Sequence, residues 1–515
     1  MRALRALCAS MILTTLVAGL DAAPALSQLD QKIDCDKPKW KPLCEHFDLD
    51  SKPPRPLAVV AHIDSGVNPY APAFRDRSPL AQKHPSTYIP GFPKDAQALR
   101  LTLDKPFEKA WKADEDKWKL LKRGELYWIP GTKIVGAISF AAGGTYCPTV
   151  RVPTVVAFND GTCSEHIIFD DHGHGTMTAS RATGAPDSLA PDARLVSIEG
   201  LGARGVEWAA ESGWIDVQTN SWISLVPPPI PGGTTEAFAA ASEKMVTIAA
   251  SGNGTAYLAG FLPTPTYLLS TAPPGVILVG GHDNGRATIW AGAPPHVVAD
   301  AYIGMSAATR SVQKMHPEIM ACCTSAAAPY AAGGAAALIL EARKILGDDR
   351  TGTRGSALAC GPQGMVPKGP LIDGDLTLQE LNQLYFHTAE VFPGEGKHDG
   401  AVHWTGGLRP PDQVEYGPGG NPYCLGCTTM PVPWSTVPTE ADGSAYTFVG
   451  YGGINERSVK AGIAVLRGIA ELPDRAAADS QYELDQQLRT LFFAANGADT
   501  TEVDFPPAKC GSPAP

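Results

Sequence analysis

Four short segments of the chain carry side chains able to do chemistry. Asp64 ends the apolar run Leu57 to Ile63 and opens a turn as Asp64-Ser65-Gly66. A carboxylate there stands where a sheet would present its functional edge, and an Asp is equally an ordinary turn opener. The stretch Asp170-Asp-His-Gly-His-Gly-Thr-Met-Thr-Ala-Ser180 places small residues behind His174. They would let a helix begin tightly and hold that imidazole at its start, while the pair His172 and His174 is also open to a metal-ligand reading. Ser325 begins a run rich in Ala and Gly, Ser325 to Leu340. Its hydroxyl would sit at the positive end of a helix dipole with its own amide able to face a developing oxyanion, or it would simply cap the helix. Asn253 lies in Ser251-Gly-Asn-Gly254 after the apolar run Met245 to Ala250. Its amide is either a turn residue or an oxyanion donor.

The elements that must position these groups follow a regular grammar. Short apolar, β-branched runs at Leu57 to Ile63, Arg194 to Ile198, Ile215 to Thr219, Met245 to Ala250 and Val276 to Gly281 alternate with helical stretches such as Val206 to Ser212 and Ala237 to Lys244. Buried strands alternating with helices predict an α/β fold: a doubly wound, mostly parallel sheet with helices on both faces. Ligands of such sheets bind outside the carboxyl ends of the strands. Two loop-rich stretches depart from the pattern and read as insertions, about 75–165, charged and aromatic, and about 394–444, dense in Gly, Pro and Cys. The expected organisation is a signal peptide over 1–27, an arm over 28–56, one catalytic-type domain over 57–470 and a tail over 471–515. Within the tail an amphipathic stretch, Asp479 to Phe493, is expected to pack on the domain.

Composition narrows the partners. The 515 residues are 44% hydrophobic and 18% charged, with 42 basic against 53 acidic residues and a formal charge of −11. No basic cluster offers a face for nucleic acid. Arg2 and Arg5, the apolar run Ala6 to Leu20 and the small residues Ala25-Leu26-Ser27 read as a cleaved secretory signal, so a secreted or periplasmic location is expected. The apolar run is short of the roughly 20 residues a spanning helix needs, and no membrane span is expected in the mature chain. Of eleven cysteines, Cys8 leaves with the signal, and the even remainder in an exported chain favours disulfides of unassigned connectivity. Cys424-Leu-Gly-Cys427 has no second pair at zinc-ribbon spacing. No acidic loop shows calcium-ligand spacing, so no cofactor or metal is expected, with calcium left open. A monomer is expected.

Taken together, the order Asp, His, Asn, Ser resembles that of the subtilisin-like serine proteases, the subtilases, one of several convergent triad orders. Val60-Ala-His-Ile-Asp-Ser-Gly-Val67 is similar to the family's Asp motif, Gly173-His-Gly-Thr176 to its His motif and Thr324-Ser-Ala-Ala-Ala-Pro329 to its Ser motif. Trp214 to Ser221 resembles the strand lining its substrate cleft. The resemblance implies an endopeptidase acting on a protein or peptide substrate. Ser325 would be the nucleophile, His174 the general base and acid, Asp64 its orienting carboxylate and Asn253 an oxyanion donor. It also implies a peptide bound as an added strand beside Asn220, Ser221, Trp222 and Ile223.

Departures from the pattern carry information too. Cys323 and Ile223 stand where the family usually has Gly, the edge segment Gly200 to Arg204 is short, and the interval from Asp64 to His174 is long. A second function class follows from them: a catalytically impaired binding protein on the same scaffold. A zinc site built from His172, His174 or Cys424 and Cys427 is the third.

Overall fold

The apolar run that ends in Asp64 forms strand β1 (Val59–Asp64), with every residue buried. The computed structural model describes residues 57–141, 151–152, 155–156, 166–171, 173–222, 233–252, 271–283, 286–290, 295–301, 324–346, 376, 378–390 and 450–495. All of them belong to the unit Pro53–Pro515.

The other strands are β2 (Gln97–Ala98), β3 (Tyr127–Trp128), β4 (Ile134–Ser139), β5 (Arg151–Val152), β6 (Val155–Val156), β7 (Arg194–Glu199), β8 (Val217–Asn220), β9 (Val246–Ala250), β10 (Ile277–Asp283), β11 (Arg286–Trp290), β12 (Val297–Asp300) and β13 (Gly453–Ile454). Among the described residues, eleven strands form one sheet in the order β13-β12-β10-β9-β8-β1-β7-β4-β3-β2, with β11 on β10. Within that sheet pairing is parallel except for β3 with β4 and β10 with β11, and β5 and β6 pair antiparallel on their own. This is the doubly wound, mostly parallel architecture expected from the alternation of apolar runs and helices.

The helices are α1 (Phe107–Trp118), α2 (His174–Thr183), α3 (Ala203–Glu211), α4 (Thr234–Ser242), α5 (Thr324–Leu346), α6 (Leu378–His387), α7 (Glu456–Leu466) and α8 (Ala476–Ala495). Side chains of β1 alternate with period two. Val59, Ala61 and Ile63 join the core cluster of Val206 and Ala209 from α3 and Ala237, Phe238 and Ala241 from α4. His62 and Asp64 therefore face the opposite side, where they bond to α2. There α2 packs against α5, and α5 lies across β1, β8, β9 and β10. The Ala- and Gly-rich composition of α5 is what permits this closeness: a Cβ on Gly333 would stand 2.9 Å from Ala182 O of α2.

At the far end of α5, Arg343 is bidentate on Asp216, with both side chains fully buried. Arg343 also donates to Leu57 O, and Asp216 Oδ2 accepts from Val59 N at 2.8 Å. The end of α5 is thus tied to the amino ends of β1 and β8. The amphipathic stretch of the tail forms α8 and packs on the sheet unit. Gln486 Oε1 accepts from Gly275 N at 2.9 Å, Arg489 donates to Ala272 O at 2.9 Å, and Asp485 pairs with His296.

The stretch about 75–165 contains more of the sheet than its composition suggests. Ile134–Ser139 is strand β4, parallel to β7, and continues the sheet beyond it. Its six residues are hidden in the sequence between charged and aromatic segments. The aromatics of the same stretch form a cluster of their own: Tyr70 and Phe169 meet Phe107, Trp111 and Trp118 of α1. The buried Asp114 accepts from Tyr70 OH at 2.9 Å. The cysteines, the N-terminal 56 residues and the stretch about 394–444 lie outside the described residues.

Candidate active site

Two elements meet at the carboxyl edge of the sheet. β1 delivers Asp64, in register with Glu199 of β7, and α2 begins at His174. His174 Nδ1 lies 2.7 Å from Asp64 Oδ1, which also accepts from Ser65 N at 2.8 Å. The Asp64 side chain is 3% exposed and that of His174 20%, so the imidazole alone of the pair reaches solvent.

The approach of β1 to α2 is set locally. A Cβ on Gly175 would stand 2.2 Å from Gly66 O, so only glycine admits the helix start there. The first amides of a helix lack partners within it. Here Asp170 accepts from Gly173 N at 2.7 Å and from Thr176 N at 2.6 Å. Ser65 Oγ accepts from Gly175 N at 2.9 Å and donates to Asp170 at 2.8 Å. The backbone that carries His174 is held on both sides by these bonds.

Electrostatics follow from this packing. Burial alone would raise the Asp64 pKa, but the adjacent His174, its hydrogen bond and the Ser65 amide hold it well below the usual carboxylate range. Burial alone would lower His174, yet the Asp64 carboxylate and its hydrogen bond raise it above the ordinary 6.5. The arrangement favours a carboxylate that stays ionised and an imidazole whose protonated form is stabilised by it.

Ser325 is the second residue of α5 and is partly exposed. Its carbonyl would normally accept from the amide of residue 329, but that residue is Pro329 and has no N–H. Ser221 Oγ donates to it instead at 2.9 Å, and Ser325 Oγ donates to Ser221 O at 3.2 Å. This reciprocal pair fastens the start of α5 to the end of β8. Met177, one turn after His174, packs on Ala326, next to Ser325. The starts of α2 and α5 therefore adjoin at the same edge.

The remaining sequence candidates divide. Asn220 is fully buried, its main chain paired with Ile63 and Ala249 on either side, and its Nδ2 donates to Ile248 O. It therefore sits inside the sheet, between β1 and β9; only from Ser221 onward does the segment leave it. Trp222 is partly buried and meets Phe238 of α4 edge-on at 5.5 Å. β9 ends at Ala250 on the same edge, and the chain continues through Ser251 and Gly252. Asn253, Ile223, His172 and Cys323 lie outside the described residues.

Sequence reading passed over three groups that touch this site: Asp170, His62 and Thr178. The signals were present. Asp170 precedes His174 by one helical turn, His62 interrupts an apolar strand two residues before Asp64, and Thr178 follows His174 by four, on the same helix face.

A doubly wound parallel sheet presenting an Asp–His pair and a helix-borne serine at one edge is the architecture of a serine-type peptidase. The chain belongs to the subtilase family, peptidase S8, whose family model matches residues 58–389. No curated protein matches it significantly in sequence. Solved structures similar to it include the prenylagaramide maturation protease PagA, 14% identical, covering 83% of this chain and 99% of that one, with a TM-score of 0.35. Another is the epidermin leader peptide processing serine protease EpiP from Staphylococcus aureus, 13% identical, covering 84% of each chain, also at 0.35. A third is fervidolysin from Fervidobacterium pennivorans, a keratinolytic enzyme related to subtilisin, 16% identical over 68% of this chain and 45% of that one, at 0.27. No described helix is long and apolar enough to cross a membrane.

Proposed function

We propose that the chain is an exported serine endopeptidase whose triad is Asp64, His174 and Ser325, with Asn253 and the Ser325 amide as oxyanion donors. The observation that carries this reading is the 2.7 Å bond from a partly exposed His174 to a buried Asp64, at the edge where α5 begins with Ser325. Asp64 fixes the tautomer by accepting from Nδ1, which leaves Nε2 as the base. The Ser325 hydroxyl turns from Ser221 O to His174, loses its proton to Nε2 and attacks the peptide carbonyl carbon. The imidazolium returns the proton to the leaving amine, and a water molecule repeats the sequence to release the acyl group. Oxyanion donors act where charge develops, and the loss of one typically costs about 10² to 10³ in rate.

A peptide would pair with the main chain from Ser221 onward. A concavity of about 450 Å³ beyond β4 and β7, lined by Phe140, Gly200 to Gly205 and Glu207, supports room for its side chains. Export rests on the charged, then apolar, then small-residue order of the first 27 residues.

The test uses the exported protein, whose first residue should read Gln28, and a serine-directed phosphonate. The adduct should map to Ser325, vanish in His174→Ala and form about 10² to 10³ more slowly in Asn253→Ala. Absence of label on folded protein would overturn the triad.

A further inference from the structure

We propose that His62 and Thr178 are positioning residues for the Asp64–His174 pair: His62 donates its Nε2 proton to Thr178 Oγ1, which frees the threonine hydroxyl hydrogen for Asp64 Oδ2. The proposal rests on the catalytic reading of Asp64 and His174.

The two oxygens of Asp64 are served unequally. Oδ1 takes both the His174 bond and the Ser65 amide, whereas Oδ2 has one hydrogen-bond donor among the described residues, Thr178 Oγ1 at 3.2 Å. That hydroxyl has three acceptors in reach: Asp64 Oδ2, His174 O at 3.0 Å and Gly175 O at 3.2 Å. It also lies 2.6 Å from His62 Nε2. A hydroxyl has one hydrogen, so the His62 tautomer decides where it goes.

With the proton on Nδ1, His62 Nε2 would take the hydroxyl hydrogen. Asp64 Oδ2 would then be left without a donor, and a ring N–H would be buried with no partner, because Nδ1 has none among the described residues. With the proton on Nε2, only a ring lone pair is left over. Buried orphan donors are rarer than under-satisfied acceptors, and an ionised acceptor draws the stronger bond. The second arrangement is therefore the stable one.

It requires a neutral His62. Burial is the dominant influence and pushes its pKa down to about 4, with Asp64 opposing and His174 assisting. The groups facing it are Asp64 on its own strand and His174 on α2, while its register neighbours on β7 and β8 are the uncharged Ser197 and Thr219. On α5, Tyr330 is the nearest titratable residue to the helix start, and it lies under Arg181 at 4.0 Å.

The experiment measures kcat, KM and the pH profile of the full exported chain and its variants on a chromogenic peptide. Loss of the Oδ2 donor leaves more of the carboxylate charge on the His174 side. In Thr178→Val, kcat is expected to fall about 10-fold at unchanged KM, as for loss of a hydrogen bond to a charged group. Its acid limb should move upward by about half a pH unit. His62→Leu should move both in the same direction by less. Thr178→Ser and His62→Gln, which keep a hydroxyl and a terminal N–H, should restore them. In parallel, ¹⁵N shifts of the wild-type histidines, with the His62 signal identified by its loss in His62→Gln, should show the Nε2–H form.

The proposal falls if folded Thr178→Val and His62→Leu keep both kcat and the acid limb, or if His62 carries its proton on Nδ1. An inactive wild-type protein would count against the triad alone, and the tautomer would still decide the relay.

Discussion

At the carboxyl ends of β1 and β7 a buried Asp64 meets His174; at the amino ends of β1 and β8 a buried Asp216 meets Arg343. Both are carboxylates set against a base, yet they do opposite work. Arg343 keeps its charge at every accessible pH, is fully buried, and grips both oxygens of Asp216 as well as Leu57 O. His174 touches one oxygen, stays 20% exposed, and has its pKa raised by the Asp64 carboxylate. A clamp needs a fixed charge and many bonds, whereas a catalyst needs a proton that can leave. Helix α5 carries Ser325 at its start and Arg343 in its last turn, so the clamp holds one end of the helix and the proposed reaction would use the other.

The sharpest way to break this comparison is to neutralise each carboxylate system in turn. Asp64→Asn should keep the fold and lower kcat by about 10⁴, through the wrong imidazole tautomer, in steady-state assays. Arg343→Met should do the reverse. It strands a buried Asp216 and should lower unfolding free energy by about 3–5 kcal/mol in denaturant titration, with kcat per folded molecule nearly unchanged. Adding Asp216→Leu should recover most of that loss. A large fall in kcat for folded Arg343→Met would show that the two ends are not separable.

A smaller effect sharpens the contrast by pH. Asp64 raises the His174 pKa, and the neutral base is the active form, so the acid limb of kcat/KM should have its midpoint above 6.5. The sign for stability is the converse. The Asp64–His174 contribution is fully present below 6.5 and is lost as pH rises through the folded value, while the Arg343 clamp stays constant over that range. Unfolding titrations of wild type and His174→Ala from pH 5 to about 9 would separate them.

Much of this was readable in the sequence because each strand of a sheet covered on both faces leaves a continuous apolar run. Asp64, His174 and Ser325 stand where such runs or an Ala-rich helix begin or end. β4 was not readable, since six residues among charges and aromatics carry little periodicity. Sequence does not tell an interior strand from an edge one, so it did not show that Asn220 ends a strand, β8, with neighbours on both sides. His62 and Thr178 belong to different elements, and their bond exists only once α2 lies on β1.

The docking of α8 has a consequence for biosynthesis. Gly275 and Gln486, which share a hydrogen bond, are 211 positions apart, and Ala272 waits on Arg489 over 217. At about 5–20 residues per second, a ribosome needs roughly 10–40 s to bridge that gap. Through that interval the approach to β10 lacks its contacts with α8, which can form only after Gln486 and Arg489 have been added to the chain.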